Sequence, residues 1–136
     1  IYEPSENLLH EDARKFEIAT SCVPLLAGLR ESLSLFEDDI STKEKNKIIS
    51  AMSNKLWFKL NEFRNIELAL QYPLKNGIVS FNIKKNIDKN EFVKKLGLKN
   101  IWIRVIEDPQ WFRVCIHQIT NEKEINLLIN EIKLLI

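Results

Sequence analysis

At 136 residues, 45% hydrophobic and 29% charged, the chain has the size and composition of one globular domain with a real core. A net charge of +1 gives no electrostatic footprint for nucleic acid, and no apolar run approaches the roughly 20 residues of a spanning helix, so neither nucleic acid nor membrane is expected as a partner. Cys22, Cys115, His10 and His117 form neither a disulfide framework nor a ligand cluster at zinc spacing; no metal is expected, and the protein reads as soluble and cytoplasmic.

The start at Ile1 and a total of 3 glycines suggest a piece of a longer chain. Residues 1 to 19 are polar and mixed. At Thr20-Ser21-Cys22-Val23-Pro24 a hydroxyl residue followed by proline predicts a helix start, and Leu25, Leu26, Leu29, Leu33 and Leu35 continue it as an apolar stripe toward Phe36. Ser41-Thr42-Lys43-Glu44 has the form of a capping box and opens a longer helix, in which Ile48, Ile49, Met52, Leu56, Trp57, Leu60 and Phe63 recur at three and four residues. A stripe of this kind belongs to a core, so Trp57 and Phe58 are given no functional role.

The period then changes. Ile66, Leu68 and Leu70 alternate, Pro73 and Asn76-Gly77 mark a turn, and Ile78 to Ile83 is strand-like. Asp88 and Glu91 predict a second capping box for a short helix with Phe92 and Leu96 inside and Gly97 as its stop. Ile101 to Ile106 and Trp111 to Gln118 are two strands around an Asp108-Pro109 turn, and Asn121 with Glu124 caps a last helix whose inner face is Ile125, Leu128, Ile129, Ile132 and Leu135.

A hairpin closed by the loop 107 to 110 places Ile106 opposite Trp111, and two residues further out Arg104 opposite Arg113. Like charges in register destabilise a sheet. Two arrangements answer this: an anion, most naturally a carboxylate, held by the two planar guanidinium forks, or one arginine paired with Glu107 or Asp108 and the other in solvent. Cys115, inside a strand, is expected to be a small buried hydrophobe. His117, on the Arg113 face, is expected to be a hydrogen-bonded bystander.

The element order gives an α+β fold: a small antiparallel or mixed sheet of about four strands covered by helices and preceded by two helices. The apolar stripe of the first helix fits that unit least and calls for a neighbouring domain.

Lys15-Phe16-Glu17-Ile18-Ala19-Thr20, Gly77-Ile78-Val79-Ser80-Phe81, Ile103-Arg104 and the run from Arg113 to Ile125 resemble the C-terminal third of class V aminotransferase-like, pyridoxal-phosphate (PLP)-dependent enzymes of fold type I. The spacing of Arg104, the Asp108-Pro109 turn and Arg113 resembles the cysteine/cystine C–S lyase branch near the cysteine desulfurases. The resemblance implies that residues 1–40 are the tail of the large cofactor-binding domain, 41–63 a connecting helix and 64–136 the small domain. It implies substrate-carboxylate roles for Arg113 and Arg104, and for Thr20 a contact across a homodimer interface to the cofactor phosphate; a plain N-cap is the other reading of that threonine.

The loop 107 to 110 contains no cysteine, so desulfurase-type persulfide chemistry is not expected. The family's Schiff-base lysine, ring-nitrogen aspartate and stacking aromatic fall before the matched region, so these 136 residues alone are expected to be inactive and to bind no PLP. For the intact protein the resemblance implies a lyase acting on a sulfur amino acid. An aminotransferase or epimerase of the same fold, or a non-enzymatic α+β module binding carboxylate or phosphate, remain as alternatives.

Overall fold

The structure, a computed structural model, describes residues 11–16, 22–38 and 41–136. The chain groups into two compact units, Ile1–Ile40 and Ser41–Ile136. In the first, a short 3₁₀ turn spans Ala13–Phe16 and helix α1 spans Val23–Asp38. Pro24 sits in the first turn of α1, where its missing N–H has no partner to lose, and the Cys22 carbonyl accepts from Leu25 N (3.0 Å) and Leu26 N (3.2 Å). The apolar stripe is real but uncovered: Leu25, Leu26, Leu29, Leu33 and Leu35 are all exposed.

The second unit contains α2 (Thr42–Asn61), β1 (Ile66–Leu68), β2 (Ile78–Ile83), α3 (Lys89–Gly97), β3 (Arg104–Val105), β4 (Phe112–Cys115) and α4 (Glu122–Leu135). Its four strands form one antiparallel sheet in the order β1-β2-β4-β3. The α+β expectation is met. Alternation sends Val79, Phe81 and Ile83 of β2 and Phe112 and Val114 of β4 to one face, where all are buried. Leu56 and Leu60 of α2, Phe92 and Leu96 of α3, and Ile125, Leu128 and Ile132 of α4 complete this core. Phe112 lies at its centre, stacked on Phe81 with ring centroids 5.2 Å apart and tilted against Phe92 at 5.0 Å.

Helix ends follow the capping chemistry with one exception. At α2 the Glu44 N–H donates to Ser41 Oγ (3.3 Å) and the Ser41 N–H to Glu44 Oε2 (3.2 Å). At α4 the Glu124 N–H donates to Asn121 Oδ1 (3.2 Å) and the Asn121 N–H to Glu124 Oε2 (2.8 Å). At α3 only half of the box forms. Asp88 Oδ1 accepts from Asn90 N and Glu91 N, while the Glu91 carboxylate turns to Lys95 Nζ at 2.9 Å, one turn along the helix.

Three readings need correction. Gly97 is the last residue of α3 but not its left-handed cap; the reversal is a Schellman closure, with the Ile101 N–H donating to Leu96 O (3.1 Å), the Asn100 N–H to Gly97 O (2.9 Å), and Asn100 in the left-handed region at φ 59°. Asparagine tolerates that conformation because its short polar side chain bonds locally. Gly97 has a different use: a Cβ there would stand 3.1 Å from Cζ3 of the Trp102 ring.

The strands expected over Ile101 to Ile106 and Trp111 to Gln118 are shorter. Ile101 is consumed by the closure of α3, and the chain past Cys115 leaves the ladder after the Ile116 N–H donates to Gly77 O (2.6 Å). Cys115, finally, is exposed, because β4 points Phe112 and Val114 inward and leaves Arg113 and Cys115 to the other face.

Candidate functional site: the outer face of the sheet

The face turned away from the helices carries Ile78, Ser80 and Asn82 of β2, Arg113 and Cys115 of β4 and Arg104 of β3. Register puts Ser80, Arg113 and Arg104 in one row across three strands, since Ser80 pairs with Arg113 and Arg113 with Arg104. The hairpin closes as the sequence predicts: the Ile106 N–H donates to Trp111 O at 2.7 Å, and the strands around the Asp108–Pro109 turn pair with the two arginines in register.

Neither arginine forms an ion pair among the described residues. The ionic arrangement with Glu107 or Asp108 is therefore not the one adopted. Arg104 is exposed; Arg113 is half-buried, and its Nε is shut off from solvent without a hydrogen-bond partner. A buried donor left unmade costs about 1–3 kcal/mol, which a ligand acceptor or a rearranged neighbour relieves. Arginines in facing register offer several N–H donors and two positive charges, with no carboxylate paired to either among the described residues. Such a pair has the donors and the charge to hold a planar anion.

His117 is held at the strand end. Its N–H donates to Thr120 Oγ1 at 3.0 Å, and its ring Nδ1 accepts from the Ile119 N–H at 3.5 Å. These are the local hydrogen bonds expected of a strand-end histidine. Thr20 lies outside the described residues. Among the described residues no group of three His, Cys, Asp or Glu side chains is placed to hold a metal ion, and no helix is long and apolar enough to cross a membrane.

Ser80 and Asn82 were not singled out in the sequence, although the signal was there. Polar residues alternating with Val79, Phe81 and Ile83 must share the face opposite the core, and the pairing of β2 with β4 then puts Ser80 beside Arg113.

No protein-family model matches this chain, and no curated protein matches it. Solved structures do. The cystine C–S lyase C-DES, in complex with its reaction product cysteine persulfide, is 34% identical over 86% of this chain and 31% of its own, with a TM-score of 0.76. The chain is thus similar to a portion of C-DES and shares its fold with NifS-like and cysteine desulfurase structures. A NifS-like protein from Rickettsia africae ESF-5 (20% identity, 85% of this chain and 35% of that one, TM-score 0.68) shares the fold. So does the cysteine desulfurase CsdA from Escherichia coli (12% identity, 86% and 31%, TM-score 0.75). In another form of C-DES, altered from lysine to alanine at one position, glycine is covalently linked to the PLP cofactor. The chain thus spans about a third of the length of these structures.

Proposed function

We propose that this chain supplies the substrate-carboxylate clamp of a PLP-dependent lyase that removes the sulfur group from a sulfur amino acid. The observation that carries the proposal is the Arg104–Arg113 pair, in register on one face and without a carboxylate of its own. An amino-acid carboxylate satisfies the planar forks and neutralises charge that would otherwise oppose the pairing of β3 and β4. Arg113, half-buried and without an ion pair among the described residues, fits the anionic amino acid that PLP chemistry requires.

PLP, when bound, supplies the electron sink for breaking bonds at the amino acid's α-carbon. The arginines fix the carboxylate, and with it the orientation of the α-proton and of the β-carbon that bears sulfur. Holding a substrate in this way converts a chance encounter into an oriented one. The absence of cysteine from Glu107 to Gln110 favours elimination over transfer of sulfur to a protein thiol in this loop. In the proposed assembly residues 1–40 belong to the large cofactor-binding domain and α2 leads into the small one. The exposed leucines of α1 support this by asking for a partner surface. Thr20 is proposed to reach the cofactor phosphate of the second subunit of a cytoplasmic homodimer.

The test is the full-length protein loaded with PLP and supplied with cystine or cysteine. The expected products are a sulfur species and the deaminated three-carbon acid, with borohydride fixing the cofactor to a lysine outside residues 1–136. Transfer of the amino group to a keto acid without release of sulfur would instead make the protein an aminotransferase on the same clamp.

A further inference from the structure

Two buried side-chain polar atoms among the described residues lack a hydrogen-bond partner: Arg113 Nε, a donor, and Asn82 Oδ1, an acceptor. They are complementary, and register makes them neighbours. Ser80 of β2 pairs with Arg113 of β4, so Asn82, two residues further along β2, lies diagonally from Arg113 on the same outer face. Diagonal neighbours on adjacent strands are about 7–8 Å apart, within reach of a long side chain. Arg104, on the other flank of Arg113, offers only donors and cannot satisfy Nε.

We propose that Asn82 is the positioning residue of Arg113. After a side-chain rotation its Oδ1 accepts the Nε–H, which fixes the plane of the guanidinium. The Nη1 and Nη2 edge is then left free, so a carboxylate is gripped end-on by those two nitrogens and not side-on through Nε. The inference rests on reading Arg113 as the clamp, but it concerns a bond within the protein and is measured without substrate.

The experiment uses full-length protein labelled with [15N]arginine, the Arg113 Nε–H signal being assigned by its loss in Arg113→Lys. In the unaltered protein this proton is expected to exchange slowly with solvent. Asn82→Leu, close in size but without an acceptor, should speed exchange about ten-fold or more, the effect of losing one hydrogen bond to a charged group. Asn82→Ser, which keeps a hydroxyl acceptor, should retain part of the protection and guards against a merely unfolded variant. Unchanged exchange in Asn82→Leu overturns the proposal, as does slow exchange that appears only when glycine is added as a carboxylate probe. A clamp that fails on substrate while Asn82→Leu still releases the Nε–H would overturn the functional reading and leave this one standing.

Discussion

Arg104 and Arg113 stand opposite each other across β3 and β4, and no ion pair among the described residues neutralises either. Natural sheets avoid such facing charges because they oppose strand pairing without adding to the core. If the pair serves a ligand and not the fold, removing one charge should not harm the empty protein. Arg104→Gln is expected to leave stability unchanged within about 0.5 kcal/mol or to raise it slightly. Thermal melts of the ligand-free protein check this, and a marked loss in Tm would show that Arg104 has a structural partner.

Phe112 makes the opposite prediction. It is fully buried between Phe81 and Phe92, on the strand that also carries Arg113. Phe112→Ala removes both ring contacts and leaves a cavity among rigid neighbours, at an expected cost of about 3–5 kcal/mol. Urea unfolding of the variant measures it. Because β4 is held between β2 and β3, the same change is expected to disorder the arginine row and weaken ligand binding.

Local chemistry made much of this fold legible. The boxes at Ser41 with Glu44 and Asn121 with Glu124 depend on residues three apart, and the facing arginines depend only on loop length and the two-residue period of a strand. What was missed depended on tertiary competition. Glu91 had a choice between the Asp88 N–H and Lys95, and took the lysine. Asn100 took the left-handed position that a glycine usually fills, while Gly97 lies under the Trp102 ring. Cys115 was read from its residue type when its register beside Arg113 should have decided, since two residues along a strand return to the same face. Thr20 falls outside the described residues, so its role stays a proposal.

An ion pair between helices gives a pH prediction. Lys55 of α2 lies 2.7 Å from Glu122 in the first turn of α4, and the Lys55 hydrogen bond, followed by its charge, holds the Glu122 carboxyl below its ordinary value of 4.5. A lowered folded-state value means that the unfolded chain binds the proton more readily, so stability rises with pH through this range. The contribution of Glu122 is therefore complete above its ordinary value and lost as the pH falls through the folded one. Glu122→Gln is expected to melt slightly lower than the unaltered protein near neutral pH and at the same temperature once the pH is well below the folded-state value of Glu122. A difference that persists in acid would trace the loss to packing and not to charge.

The carboxylate clamp itself is tested most directly by a double-mutant cycle on kcat/KM in the full-length enzyme, with Arg104→Lys, Arg113→Lys and both together. Lysine keeps the charge and loses the fork, so each single change is expected to lower kcat/KM by roughly ten- to a hundred-fold, the effect of losing a charged hydrogen bond of about 1.5–3 kcal/mol. The double variant should lose clearly less than the product of the two, because both arginines act on one anion. Unchanged kinetics, or losses that multiply independently while the melting temperature falls, would contradict a shared carboxylate and return the two arginines to the scaffold.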